Sequence, residues 1–381
     1  MTQTANEARG ERNRVTGGVA LCYGTRPQII KASRVRRALS ALGSVLAIDT
    51  GQHYDYALNE LLYRQLDVAA PDLCLGVGSG SHGEQTAAIL AGIEPVFRQH
   101  APRAAVVIGD TNSTLGCALA AAKMRIPVVH VEAGLRAADS GMAEEINRRA
   151  VDAIAAVLCT PSATATARMR REHPDAVTVE TGDVACDILR DQLARLPDVR
   201  GLLPDGAAGG YAFATVHRAE LTDTPALLSS VLDTLSRLPL PVVLAIHPRT
   251  SAAARAAGWT EPEDSRLRVV PAVGYLESLA LAAGSRVVIT DSGGVQREAY
   301  WLGVPCITVR TETEWTETVE LGANRLLAPA AVVGDLEGMV MEQLAAARGW
   351  DRSAYGDGEA APRIAAAVAS LPGQRSSIMA D

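Results

Sequence analysis

Short runs that are apolar throughout alternate along the chain with longer stretches in which apolar residues recur every three or four positions. Runs at 17–24, 44–50, 104–109, 127–132, 157–160 and 177–181 predict strands, and patterns at 27–42, 54–66, 82–99, 112–122, 143–156 and 183–196 predict helices. Strands that are apolar throughout and separated by helices predict a parallel sheet covered on both faces. Residues 197–210 (PDVRGLLPDGAAGG) break the pattern with Pro and Gly and read as a linker. The alternation resumes with strands at 211–217, 241–247, 267–271, 286–290 and 305–309. Helices are expected there at 224–237, 250–258, 274–284, 294–302, 331–347 and 360–371. The fold class expected is α/β: two Rossmann-like, doubly wound parallel-sheet domains at 17–196 and 211–359, after a polar tail at 1–16. Ligands in such sheets bind beyond the carboxyl ends of the strands, which puts the expected site in an interdomain cleft.

Composition narrows the function classes. The chain has 381 residues, is 48% apolar and carries a formal net charge of −7. That balance argues for a globular protein and against a nucleic-acid partner, which needs a basic face. A small anion remains compatible with it, through local arginines and helix N-termini. Lys31 and Lys123 are the only lysines, a skew towards arginine that fits a GC-rich genome. The six cysteines form no CxxC and the histidines no HExxH, so neither a disulfide framework nor a metal site is expected. The first residues lack an apolar signal-peptide core, and no run approaches the roughly 20 apolar residues of a membrane helix. The expectation is a cytoplasmic protein without a membrane partner.

Candidate chemistry sits where the predicted strands end. GTRPQIIK (24–31) follows the first strand and places Arg26 and Lys31 beside a helix N-terminus, either as an anion site or as a solvated first turn. Asp110, in GDTNST, ends the strand 104–109 among more capping residues than one helix needs, which points to a second duty. Glu132 ends the strand 127–132, where a carboxylate requires a partner or a raised pKa. Glu144 and Glu145 open the next helix, and helix-dipole compensation with pairing to Arg148 and Arg149 accounts for Glu145. Convergence of Asp110, Glu132 and Glu144 makes an acid–base cluster. Arg136, Arg148 and Arg149 either receive an anionic sugar group or neutralise Glu132, Glu144 and Glu145, and the helical spacing favours neutralisation. In the second half, His217–Arg218 and His247–Arg249 end strands and point to phosphate contacts. TDSGGVQREA (290–299) offers the backbone N–H groups of Ser292, Gly293 and Gly294 at a helix N-terminus to a diphosphate, with Glu298 one turn on for a ribose hydroxyl. GSGSHG (78–83) matches GxGxxG, but Ser81 and Glu84 have the spacing of a capping box, so the stretch reads as a helix start.

In this order, GTRPQIIK, TGQH (50–53), GDTNSTL, HVEAGLR, EEINRR, TVHR, HP (247–248) and TDSGGVQREA resemble the motifs of the non-hydrolysing UDP-N-acetylglucosamine 2-epimerases. The resemblance implies a GT-B fold whose C-terminal helix (360–372) returns to the first domain, a homodimer, and no NAD or essential metal. It implies elimination and re-addition of UDP through a 2-acetamidoglucal, with Asp110, Glu132, Glu144 and His217 as catalytic residues. Arg26, Lys31, Arg136, Arg148, Arg218, His247, Ser292, Gly293, Gly294 and Glu298 are the substrate-binding residues expected. UDP-GlcNAc, converted to UDP-ManNAc, is the expected substrate, in polysaccharide or antibiotic biosynthesis. The chain departs from the family pattern at Gln28, where Glu is usual; at Asp55, where regulated members carry Gln; around Tyr275–Ser278, where the aromatic that packs near uracil in many members is replaced; and at TEWTE (313–317), in place of TERPE. The last resembles the branch acting on UDP-2,3-diacetamido-glucuronate, the alternative substrate. A hydrolysing epimerase and a GT-B glycosyltransferase are the other readings.

Overall fold

The computed structural model describes residues 17–52, 68–262, 265–345 and 348–371. The chain divides into two compact units, 1–188 with 355–381, and 189–354, each built around one parallel sheet. In the first unit, β1 (Val19–Tyr23), β2 (Val45–Asp49), β3 (Leu73–Cys74), β4 (Ala104–Ile108), β5 (Val128–Val131), β6 (Val157–Thr160) and β7 (Val177–Glu180) lie in the order β3-β2-β1-β4-β5-β6-β7. β1 and β4 are buried at every position because helices cover both sheet faces, which is why these strands carry no alternation. In the second unit, β8 (Ala212–Thr215), β9 (Val242–Ile246), β10 (Leu267–Pro271), β11 (Val287–Thr290), β12 (Cys306–Thr308) and β13 (Asn324–Leu326) lie in the order β10-β9-β8-β11-β12-β13. Strand order reverses between β1 and β4, and again between β8 and β11. At such a switch point the loops on either side run apart and leave a crevice at the carboxyl ends.

The structure adds elements that the hydrophobic pattern does not announce. A helix at Ala163–Glu172 buries only Ala165, Thr166 and Met169, too few apolar positions for a periodic signal; Ser162 starts it by accepting from Ala165 N–H at 3.3 Å. β13 has only three residues, Asn-Arg-Leu, and no apolar run. The helix expected at 183–196 stops at Gln192 and passes into a 3₁₀ turn, Leu193–Arg195, ahead of Pro197. The expected helix at 54–66 lies outside the described residues, as do His53 and Asp55. Ser81 does cap the helix His82–His100, with Glu84 closing the box, so GSGSHG is a helix start as expected.

The C-terminal segment docks onto the first unit through a buried carboxylate and a glycine pair. Asp187 accepts from the first two N–H groups of the helix Ala360–Ala369, Ala360 at 2.9 Å and Ala361 at 2.8 Å. Beside it, Asp183 N–H donates to Tyr355 C=O at 2.9 Å. Gly182 has φ +85°, and a Cβ there would stand 3.0 Å from Gly356 Cα and 3.1 Å from Tyr355 O, both backbone atoms. Gly182→Ala therefore combines left-handed strain with a backbone clash. It should destabilise the protein by about 1–3 kcal/mol, read as a lower thermal midpoint; an unchanged midpoint would refute the close approach.

Candidate active site

At the β1/β4 switch point, the loop after β1 and the loop after β4 are tied by one side chain. Gln28 is buried; its Oε1 accepts from Gly24 N–H (2.9 Å) and Thr25 N–H (3.2 Å). Its Nε2 donates to Ile108 C=O (2.6 Å), Thr111 Oγ1 (3.0 Å) and Thr114 Oγ1 (3.1 Å). An ionised glutamate here cannot donate to Ile108 C=O, so the amide suits this position. Above it opens a polar cavity of about 330 Å³ whose lining includes Thr25, His82, Asp110, Thr111, Ala143 and Glu144. The starts of four helices meet in this lining: Arg26–Ser40, His82–His100, Asn112–Lys123 and Ala143–Ile154. Their unsatisfied N–H groups favour negative charge there.

Two of the three expected carboxylates, Asp110 and Glu144, face this cavity. Glu144 is exposed in the first turn of its helix. Asp110 Oδ2 accepts from Arg148 Nη2 (2.6 Å) and Nε (3.0 Å). Glu132 is not among the cavity-lining residues. It is buried, its Oε1 pairs with Lys31 Nζ at 2.5 Å, and its Oε2 approaches within 3.4 Å of where a Gly109 Cβ would stand. Its backbone is left-handed, φ +71°, a conformation that costs a non-glycine residue energy and that clusters at functional sites. Lys31 is thus the partner that a carboxylate at a strand end requires.

At helical spacing the arginines neutralise Glu145, whereas Glu132 takes Lys31 instead. Arg148 is shared by Asp110 and Glu145, and Arg149 also binds Glu145, which is fully buried. Arg136 is not brought to the cavity. Its Nη1 donates to Asp152 Oδ2 (2.6 Å) and Leu135 C=O (2.9 Å), and its Nη2 to Glu172 Oε2 (2.8 Å), while the buried Nε makes no hydrogen bond and lies 3.8 Å from Glu145 Oε1. Those contacts expose what the motif reading missed. His130, on β5, is fully buried, with Nδ1 2.7 Å from Asp152 Oδ1 and Nε2 2.8 Å from Gly109 O. Both neighbours accept, so the ring satisfies both only as the doubly protonated imidazolium. Burial by itself would lower its pKa, but Asp152, the Gly109 carbonyl and the Asp110 charge outweigh that and raise it above the ordinary 6.5. Burial would raise Asp152, but His130 and Arg136 outweigh it and hold the carboxyl below 3.8. The sequence signal was present: an imidazole in an otherwise apolar strand and an aspartate in the buried stripe of the next helix.

In the second unit the β8/β11 switch point carries the other expected group. Asp291, fully buried after β11, accepts from His217 N–H (2.7 Å) and Arg218 N–H (2.8 Å), fixing the loop after β8; its Oδ1 lies 2.9 Å from His217 Nδ1. The rings of His217 and His247 are 5.9 Å apart. With Ser292, both line a cavity of about 170 Å³ that has apolar walls from Ala245, Val273 and Val295. Ser292 Oγ caps the helix Gly293–Leu302 through Val295 N–H (3.4 Å), leaving the N–H groups of Gly293 and Gly294 at its open end. Glu298 lies in the same helix, half-buried, and is not among the residues lining this cavity. Arg218 and Arg249 turn to acids of their own unit, Glu220 at 4.0 Å and Asp223 at 2.7 Å. Arg26 is exposed at the first position of its helix. Trp315, from the divergent TEWTE stretch, is buried with the Arg297 guanidinium 3.8 Å over its ring. No cluster able to hold a metal occurs among the described residues.

The His130–Asp152 pair makes stability depend on pH. His130 is raised on folding, so its contribution is complete below about pH 6.5 and fades as pH rises through the folded value. Asp152 is lowered, so its contribution is complete above about 3.8 and fades as pH falls through its folded value. The stability lost in His130→Gln should accordingly be largest between about pH 4 and 6.5 and shrink above that window. Thermal midpoints of both proteins from pH 4 to 9 check this; a difference that grows with pH would refute the charged pair.

Comparison with known proteins agrees with this geometry. The family model described as UDP-N-acetylglucosamine 2-epimerase matches residues 40–369. The UDP-2,3-diacetamido-2,3-dideoxy-D-glucuronate 2-epimerase of Pseudomonas aeruginosa is 39% identical over 360 residues, 91% of this chain and 98% of that one. The UDP-N-acetylglucosamine 2-epimerase of Methanocaldococcus jannaschii is 35% identical over 362 residues, 91% of this chain and 97% of that one. The crystal structure of the M. jannaschii UDP-GlcNAc 2-epimerase in complex with UDP-GlcNAc and UDP superposes with a TM-score of 0.81 at 34% identity, over 93% of this chain and 99% of that one. The two parallel-sheet units are those of the GT-B fold of these neighbours, and the chain belongs to the UDP-N-acetylglucosamine 2-epimerase family.

Proposed function

We propose that this protein reversibly inverts carbon 2 of a UDP-2-acetamido sugar, with UDP-GlcNAc and UDP-ManNAc as the pair interconverted. A carboxylate of the first unit takes the carbon 2 proton, the bond from carbon 1 to the diphosphate oxygen breaks, and UDP leaves with that electron pair. A 2-acetamidoglucal remains. Return of a proton to the opposite face of carbon 2 and of UDP to carbon 1 completes the inversion, so atoms and charge balance without a cofactor. The observation that carries this reading is the pair Asp110 and Glu144 facing one polar cavity at a switch point, with Glu132 against the same loop. Arg148 holds Asp110 in place through Oδ2 at 2.6 Å. His217, Ser292, Gly293 and Gly294 are assigned to the diphosphate, with Arg26, Arg218 and His247 as further contacts and Glu298 for the ribose. We further propose a cytoplasmic homodimer, as expected from the sequence.

Asp110→Asn, Glu132→Gln and Glu144→Gln should each leave the fold intact and cut turnover by about 10²-fold or more, the scale of a positioned acid or base. Rates are read by proton NMR in heavy water, where turnover also places deuterium at carbon 2. Near-normal rates in all three variants would remove the acid–base assignment.

A second reading, the same chemistry on UDP-2,3-diacetamido-glucuronate, has one specific observation in its favour: the P. aeruginosa relative of that name is 39% identical over nearly its whole length. Against it stand Arg136 and Arg148, whose guanidinium groups pair with carboxylates of the protein. A sugar carboxylate that finds a free, desolvated arginine should give large discrimination. With those donors committed, kcat/KM should favour UDP-GlcNAc. A preference of more than about a hundredfold for the uronate, measured under the same conditions, would reverse the assignment.

A further inference from the structure

Gly109 and Glu132 stand on adjacent loops, after β4 and β5, and both have left-handed backbones, φ +70° and +71°. Gly109 has no Cβ to restrict it, so the loop that carries Asp110 keeps its orientation through its bonds. On the Asp110 side, Asn147 Nδ2 donates to Asp110 C=O at 2.8 Å and Arg148 holds the carboxylate. On the Gly109 side, Gly109 N–H donates to Val131 C=O at 2.9 Å, and His130 Nε2 donates to Gly109 C=O at 2.8 Å. The same imidazole is fixed by Asp152 Oδ1 at 2.7 Å, while Asp152 Oδ2 accepts from Gly134 N–H (3.3 Å) in the loop that holds Glu132, and from Arg136 Nη1 (2.6 Å). A single buried chain of contacts thus runs from the Asp110 loop, through His130 and Asp152, to the Glu132 loop. Its members touch neither sugar nor diphosphate in the assignment above.

We propose that His130, held by Asp152, is the positioning residue that sets the separation of the Asp110 and Glu132 carboxylates during proton transfer at carbon 2. Proton transfer tolerates little error in distance, and a displacement of about 1 Å is enough to cost up to a hundredfold in rate. Losing the Nε2 donor leaves the Gly109 carbonyl unsatisfied, so the Gly109–Asp110 peptide is held from the Asp110 side alone. Binding of UDP rests on other groups and is unaffected.

The inference rests on the proposed epimerisation, and its test separates the two. An asparagine amide reaches about as far as Nδ1 and keeps the Asp152 contact; a glutamine amide reaches about as far as Nε2 and keeps the Gly109 contact. His130→Asn should lower kcat for carbon 2 epimerisation ten- to a hundredfold, with KM and the calorimetric Kd for UDP within about twofold of wild type. His130→Gln should restore most of kcat. Gly109→Ala covers the case in which His130→Asn fails to fold: an alanine at φ +70° strains the backbone beside Asp110 and so disturbs the same spacing, and kcat should again fall at constant KM. Wild-type kcat in His130→Asn or Gly109→Ala, equal impairment of the Asn and Gln variants, or a rise in KM matching the loss of kcat would overturn the positioning role. A wild-type enzyme that places no deuterium at carbon 2 of either UDP sugar would instead overturn the proposed function.

Discussion

Parallel strands leave their last carbonyls, and the first N–H groups of the helices that follow, along one edge of the sheet. Each unit crowds its candidate groups onto that edge: Asp110 after β4, Glu132 after β5, His217 after β8, Asp291 after β11. The arrangement has an electrostatic consequence. Helix N-termini favour anions, so carboxylates and phosphates are drawn to the same crevice. The chain keeps carboxylates there by pairing the deeper ones with cations: Lys31 with Glu132, Arg148 with both Asp110 and Glu145, Arg136 and His130 with Asp152. Glu144, exposed in its helix's first turn, needs less help.

Pairing and catalysis make opposing demands on such groups. A buried carboxylate without a partner would be protonated or destabilising, while one locked into several bonds cannot exchange protons readily. The described contacts divide the labour. Glu145 and Asp152 are fully buried and bound to two or more cationic groups, which suits framework. Asp110 keeps 30% of its side-chain surface and pairs with Arg148 through Oδ2. The left-handed backbone at Glu132 is the strained element, and the rigid β5 register and the Lys31 contact hold it.

The second unit solves a different problem with one buried aspartate. Asp291 satisfies the N–H groups of His217 and Arg218 with a single oxygen, so the loop after β8 is tied to the loop after β11 across the switch point. That leaves the His217 and His247 rings tilted towards one cavity, beside a helix N-terminus whose first residues are glycines. The cavity's lining combines apolar Ala245, Val273 and Val295 with polar His217, His247 and Ser292.

Much of this was legible from residue order alone. Period and run length separate buried parallel strands from helices because both sheet faces are covered; hence the strands and most helices fall where the pattern puts them. Motif positions are likewise local: Ser81 with Glu84 as a cap, Glu145 with Arg149 one turn apart, Ser292 before two glycines. The helix Ala163–Glu172, β3 and β13 escaped because short elements, or elements that bury few apolar side chains, leave little period to read. What order could not decide was pairing across sequence distance. Nothing local says that Lys31 binds Glu132, that Gln28 bridges two loops, or that Arg136 belongs to Asp152 and Glu172. Nor does it say that His130, an apparent interruption of an apolar strand, meets acceptors at both nitrogens. A charge's partner depends on which strand ends the sheet order brings together, and only the folded sheet sets that order.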